Sequence, residues 1–445
     1  MFTTASLLPR DQAHLIHPLH DPASHRDGRV WVKGEGAVLT DADGRAYLDG
    51  LAGLWNVTAG HGRVELAEAM RKQAADLAYV SGYAGSSNPR AIELAEQLAG
   101  ICYPSINHFF FTSGGGEATD STIKTARAFW KLRGHPSKTK VISRVDAYHG
   151  VTLAAMSATG ISRYWPLFEP RVPGFVHIPA PDPYRYTAPE GTSVGIAAAN
   201  ELEQVIQREG ADTVAAFIAE PVQGAGGVIV PPDDYFPRIR EICDQYDVLL
   251  AADEVITGFG RTGRLFALDH WGIEPDIVQF AKAITSGYFP FGGIGISDAI
   301  AETIETAGEP WMHAYTYSAH PVGCAVALRT LRIIEDEGLP EQAAVKGTAL
   351  LGGLTDALGD HPHVGNIRGK GLMCAVELVE DRATKRPFAP DHGVGPALLR
   401  ETAVRGLVSR VKGDTYLLAP PIVTPDDQLA RMVEILSASV RTAVG

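Results

Sequence analysis

The stretch Val248-Leu-Leu-Ala-Ala-Asp253-Glu-Val255, taken with Asp276-Ile-Val-Gln-Phe-Ala-Lys282, decides the fold. Each is a short apolar run that reads as a buried strand, and each run leads to an ionisable residue. An apolar setting that carries Lys282 inward makes its amine easier to deprotonate. A neutral amine can attack an aldehyde and hold it, whereas a solvated ammonium cannot. Taken singly, each residue also has a plain reading. Most lysines are solvated, and an aspartate at a strand end can simply cap a turn.

Outward from this pair, strand-like runs alternate with helical spacing as far as His320. Examples are His108-Phe-Phe-Phe111, Lys140-Val-Ile-Ser143 and Val214-Ala-Ala-Phe-Ile-Ala219. Such alternation predicts an α/β protein: a large central domain with a mainly parallel sheet flanked by helices, and a site where strand ends meet loops. Val30 to Trp55 reads as short strands around a turn at Asp41-Ala-Asp-Gly44, and Val64 to Leu77 as an amphipathic helix. A long helix is expected from Pro321 to Glu337, with strands at Gly371–Leu378 and Tyr416–Ala419. Thr424-Pro-Asp-Asp427 predicts a final helix with Thr424 as cap and the proline at its first position. Leu429, Met432, Val433 and Leu436 give that helix one apolar face. The expected division is an N-terminal segment (1–60), a large domain (61–325) and a C-terminal part (326–445). The two ends are expected to pack together as a smaller α+β domain.

Phe111-Thr-Ser-Gly-Gly-Gly-Glu117 follows a Phe-rich strand and precedes a helix. Bare backbone at a helix start suits an anion, which makes Gly115 and Gly116 candidate phosphate donors. A tight connection would use the same glycines, and the Gly-Lys-Ser/Thr ending of a Walker loop is absent. Tyr148 lies just past a strand, where it suits stacking on a flat ring or ordinary half-burial. Glu220 ends another buried strand and either braces the site or terminates the sheet. A buried amine, an acid, an anion cradle and an aromatic together are the protein's share of pyridoxal-phosphate chemistry. Lys282 would hold the aldehyde, and Asp253 would keep the pyridine nitrogen protonated.

Composition removes other classes. The 445 residues are 45% hydrophobic and 20% charged, as in an ordinary globular protein. A net charge of −13 without a basic block argues against nucleic acid. Cys102, Cys243, Cys324 and Cys374 show no paired spacing, which suits a reducing cytoplasm. Neither a secretory leader nor an apolar run long enough to span a bilayer is evident, so no membrane partner is expected. His14, His17, His20 and His25 cluster near the start, but Pro18 and Pro22 interrupt them, and no metal is expected.

In order, Ser113-Gly-Gly-Gly-Glu-Ala118, Tyr148-His-Gly150, Glu220-Pro-Val-Gln223, Asp253-Glu-Val255, Gly258-Phe-Gly-Arg-Thr-Gly263, Lys282 and Tyr315-Thr-Tyr-Ser-Ala-His-Pro321 resemble class III pyridoxal-phosphate aminotransferases. The similarity runs from about His14 to the final helix. It implies a fold-type-I homodimer with active sites shared between subunits, and leaves further association into tetramers open. Carried over residue by residue, it implies Lys282 as the lysine that binds the cofactor and Asp253 as partner of the ring nitrogen. It implies Tyr148 and Val255 on the two ring faces and Gly115 and Gly116 at the phosphate. Thr316 resembles the phosphate ligand lent by the opposite subunit. This chain has Gly114-Gly115-Gly116 where many relatives have Ser-Gly-Ser, so backbone N–H groups would carry more of the phosphate.

Leu54-Trp55 and Arg410-Val-Lys-Gly-Asp414 resemble the (S)-selective ω-transaminases. The resemblance implies that Trp55 walls the pocket and that Arg410 grips a keto-acid carboxylate, then swings away for an uncharged substrate. Tyr83 and Leu19 would line the same pocket. The expected partners are a primary amine or ω-amino acid as donor and pyruvate or a related keto acid as acceptor, in a ping-pong reaction. Diamine and β- or γ-amino acid aminotransferases remain open alternatives, as do a decarboxylase and an aminomutase of the same fold.

Overall fold

The computed structural model describes residues 3–21, 26, 28–83 and 85–444. Its centre is a seven-stranded sheet. In spatial order the strands are Ile106–Thr112, Gly292–Ser297, Ile277–Phe280, Leu249–Asp253, Val214–Ala219, Lys140–Arg144 and Phe175–Ile178. Only Gly292–Ser297 runs antiparallel to its neighbours; the remaining pairs are parallel. The mainly parallel α/β layering read from the sequence is the architecture found. Every residue of Val214–Ala219 and of Leu249–Asp253 is buried, because helices cover both faces. Leu250 and Ala252 pack into one layer with Leu202, Ile206 and Ile239. Leu249 and Ala251 pack into the other with Ala118, Ile123 and Ala126 of the helix Gly115–Leu132.

Two four-stranded sheets flank this body. Trp31–Glu35, Val38–Asp41 and Ala46–Asp49 form a meander, and Leu407–Val408 joins it parallel to Ala46–Asp49. Val364–Gly369, Cys374–Leu378, Thr415–Leu418 and Arg410–Lys412 make the second sheet, fully antiparallel. Ser409 therefore marks the point where the chain leaves one sheet for the other.

Three local readings need correction. The strand expected from Gly371 begins at Cys374. Gly371 itself has φ 53°, and a Cβ there would stand 2.3 Å from the Thr262 carbonyl carbon, so a turn with close backbone approach precedes the strand. The last helix spans Asp426–Val444, one residue after the proline. Thr424 lies two residues before the first helical residue, outside the cap position that Pro425 occupies, and its hydroxyl donates to the Pro421 carbonyl at 2.5 Å. An unanticipated helix covers Thr4–His14, opened by a reciprocal Thr3–Ser6 capping box. His17 bonds Asp11 at 2.9 Å, and His25 lies outside the described residues. No helix among the described residues is long and apolar enough to cross a membrane.

Candidate active site

Four strand ends converge. Asp253 closes one strand, Glu220 follows the next, Lys282 lies two residues past Phe280, and Tyr148 lies four past Arg144. With Gly115, Gly116 and Val255 they line a cavity of about 230 Å³. A larger hollow of about 910 Å³ lies elsewhere, but its Arg185 and Arg368 both pair with Glu377. Chemistry rather than size singles out the first.

Lys282 opens a short 3₁₀ turn, Lys282–Thr285, with φ 49°. A left-handed conformation is unfavourable for lysine, and such strain concentrates at working sites. Its amine lies deep enough that burial, more than any other influence, pushes its pKa down to about 8. Asp253 and Glu220 oppose that shift, and Arg410 adds to it. A substantial fraction of the amine is therefore neutral near physiological pH.

Asp253 is anchored at both oxygens. Oδ1 accepts the Val255 N–H at 3.1 Å, and Oδ2 lies 2.6 Å from Nδ1 of His149. Both side chains are almost wholly buried. An ionised carboxylate only accepts, so Nδ1 of His149 carries the proton and the ring fixes the direction in which Asp253 points. The string Tyr148-His149-Gly150 by itself gives His149 no part. The contact spans 104 residues of chain, which no local pattern reports.

Glu220 works on backbone. Oε1 accepts the Tyr148 N–H and Oε2 the Gly224 N–H, both at 2.9 Å. Burial first, then nearby Asp253, raises its pKa, while His149 and those two bonds lower it. The carboxylate ties the Tyr148 loop to the turn after its own strand. Tyr148 packs against Tyr164 with ring centres 5.8 Å apart.

The helix Gly115–Leu132 begins at the cavity. A Cβ on Gly115 would meet Val255 Cγ1 at 3.1 Å, so bare backbone keeps the floor open at the positive end of the helix. Gly150, with φ 115°, lies so close that its Cβ would stand 2.9 Å from Gly116 Cα. Thr119 on this helix donates to the His149 carbonyl at 2.6 Å and accepts from Gln279 Nε2 at 2.8 Å. Helix, His149 loop and Lys282 strand are thus joined. These residues fit pyridoxal phosphate: an anion cradle, an anchored acid and a partly neutral amine around one cavity, with an aromatic on its wall.

Other expected site residues lie outside that lining. Trp55 has φ 65° and is 3% exposed, turned into a cluster with Leu51, Val228, Ile256 and Met373. Ile256 is the member of that cluster that also lines the cavity. Leu54, Leu19 and Tyr83 are exposed. Arg410, in the strand Arg410–Lys412, acts electrostatically on both Lys282 and Tyr148 and has no ion-pair partner among the described residues. Thr316 is exposed, and its carbonyl accepts from the Tyr79 hydroxyl at 2.9 Å.

Comparison with known proteins agrees with this geometry. The family model described as aminotransferase class III matches residues 22–440. A putrescine–pyruvate aminotransferase of Pseudomonas aeruginosa is 41% identical, over 96% of this chain and 94% of its own length. An (S)-enantioselective ω-transaminase from Thermomicrobium roseum superposes with TM-score 0.96 at 48% identity, with 100% of each chain covered. A PLP-bound amine transaminase from an uncultivated Pseudomonas species gives TM-score 0.93 at 40% identity, over 96% of this chain and 98% of the other. With its cradle, acid and lysine gathered at the strand ends of a fold-type-I body, the chain belongs to the class III aminotransferases and is a pyridoxal-phosphate-dependent transaminase.

Proposed function

We propose that this enzyme moves the amino group of a primary amine or ω-amino acid to pyruvate, giving alanine, or to a related keto acid. The observation that carries this reading is the position of Arg410. It is a guanidinium near Lys282 and Tyr148, unpaired among the described residues, on a strand of the small sheet. A planar fork suits bidentate capture of a keto-acid carboxylate. The names of the Pseudomonas aeruginosa and Thermomicrobium roseum relatives support pyruvate as acceptor and an amine as donor.

In this reading the Lys282 amine would hold the cofactor and would serve as general base and acid, taking the proton from the donor carbon and giving it back. Asp253, aimed by His149, keeps the pyridine nitrogen protonated. Bound pyridoxal phosphate supplies a conjugated ring that takes up the electron pair left on the donor carbon. Gly115 and Gly116 hold the phosphate, while Tyr148 and Val255 confine the ring. Leu54 and Tyr83, both exposed, are the proposed walls of the amine pocket, and Trp55 would act from behind through Ile256, which it packs against and which lines the cavity.

The proposed active unit is a homodimer in which Thr316 reaches the phosphate of the partner subunit. Exposed Val151, Leu153, Met312 and Tyr317 support it, as apolar surface suited to burial between copies. Residues 61–325 act as the cofactor-binding body, and 1–60 with 326–445 act as the smaller lobe. Four cysteines without disulfide partners support a cytoplasmic location.

A panel of an arylalkylamine, putrescine and 4-aminobutyrate, each with pyruvate and with 2-oxoglutarate, tests the substrate class. Alanine formation from at least the arylalkylamine is expected. Turnover with putrescine alone selects the diamine reading, and strong preference for 2-oxoglutarate contradicts pyruvate. Arg410→Ala is expected to lower kcat/KM for the keto acid by about 30-fold, the size of a charge-assisted bidentate contact, and to change that for an uncharged amine by less than about threefold. Equal losses would refute the carboxylate role.

A further inference from the structure

Away from the cavity, the helix Gly115–Leu132 carries a second polar arrangement. Glu117, Ser121 and Lys124 follow one another along one face, four and three residues apart. The segment Trp311–Tyr315 packs against them. His313, nearly buried, places Nε2 2.8 Å from Ser121 Oγ and Nδ1 2.8 Å from Lys124 Nζ.

Donor chemistry fixes the direction of this chain. An ammonium only donates, so Nδ1 of His313 accepts and the ring proton sits on Nε2. That N–H donates to Ser121 Oγ, whose own proton goes to the Glu117 carbonyl at 2.7 Å. The serine is therefore a relay in a fixed strut and not an activated nucleophile, which would need its proton taken by the imidazole. Burial, then the Lys124 charge, pushes the His313 pKa down to about 4, so the neutral form holds at working pH. The Tyr315 hydroxyl donates to the same Glu117 carbonyl at 3.3 Å. Trp311, His313 and Tyr315 surround Phe110 with ring centres 5.1, 5.1 and 6.2 Å from it.

The next residue is Thr316, exposed and outside the lining of this chain's own cavity. The helix that begins with Gly115 and Gly116 therefore also anchors the segment that presents Thr316.

We propose that His313 is a positioning residue: the Lys124–His313–Ser121 strut sets the place at which Thr316 is offered to the phosphate in the partner subunit's site. One rigid helix then holds both the cradle of its own site and the hydroxyl lent to the other. The inference rests on the reading of Thr316 as a phosphate ligand donated across a dimer.

The test titrates the cofactor-stripped, full-length protein with pyridoxal phosphate and, separately, with pyridoxal, which lacks the phosphate; gel filtration runs alongside. His313→Ala is expected to weaken pyridoxal phosphate about tenfold and pyridoxal by less than about twofold. His313→Gln keeps an N–H toward Ser121 and is expected to recover part of the loss. Ser121→Ala, a milder change on a rigid helix, is expected to give the same phosphate-specific loss at about threefold, and stands in if His313→Ala does not fold. Equal weakening of both ligands, or no weakening, overturns the proposal. Thr316→Val separates the two claims. An unchanged ratio of the two affinities sinks the Thr316 reading; a changed ratio there with none in His313→Ala or Ser121→Ala sinks only the strut.

Discussion

Asp253 and Arg410 both act on Lys282, but different parts of the chain bring them there. Asp253 ends a strand beside the one that leads to Lys282, in one sheet and in register. His149 and the Val255 N–H lock it in place. Arg410 comes from a separate sheet, just after the Ser409 crossover, and among the described residues nothing pairs with its guanidinium. The contrast separates a locked acid from a guanidinium that nothing pairs with among the described residues. Rigid placement suits a group that must act in every cycle, and an unpaired guanidinium suits the proposed capture of a carboxylate in only one half of it.

Substitutions can break this contrast from either side. Asp253→Asn is expected to lower kcat about a thousandfold, and alike in both half-reactions, because the ring nitrogen loses its anionic partner. A loss confined to the keto-acid half would erase the distinction from Arg410, and stopped-flow spectra of each half-reaction decide.

The Lys282 environment makes a stability statement. The amine has a pKa of about 8 in the fold against an ordinary 10.5, so protons bind more readily to the unfolded chain between those values. The penalty is complete below pH 8 and fades as pH rises toward 10.5. Lys282→Met without cofactor is expected to be more stable by on the order of 3 kcal/mol at pH 7, with the gain vanishing near pH 10.5. Urea midpoints across pH check this, and equal midpoints at pH 7 would mean that the amine is not strained by burial.

A smaller effect sharpens the role of the lock. His149→Ala is expected to cost about 30-fold in kcat, with His149→Asn recovering part through its N–H. The pH at which the bound cofactor's absorbance changes should shift with it. An unchanged spectral titration would leave Asp253 independent of His149.

Much of the reaction centre was readable because strand ends write it into short strings. The apolar runs before Asp253, Glu220 and Lys282 are buried strands, and Gly115 begins a helix as expected. What escaped depends on contacts between distant segments. His149 meets Asp253 only after the sheet forms, and Thr119 reaches the His149 carbonyl across 30 residues. Trp55 shows the opposite limit. Its left-handed backbone turns the ring into a buried cluster with Val228, Ile256 and Met373, a conformation that no propensity for tryptophan suggests. The Cys374 strand started late because Gly371 must pass against Thr262, a tertiary demand invisible in an apolar run.

The whole account depends on which amine holds the cofactor. Borohydride reduction of the holoenzyme, followed by peptide mass mapping, reads this directly. The phosphopyridoxyl mass is expected on the peptide containing Lys282 and on no other. The label on a different lysine, or no stable label at all, would contradict it.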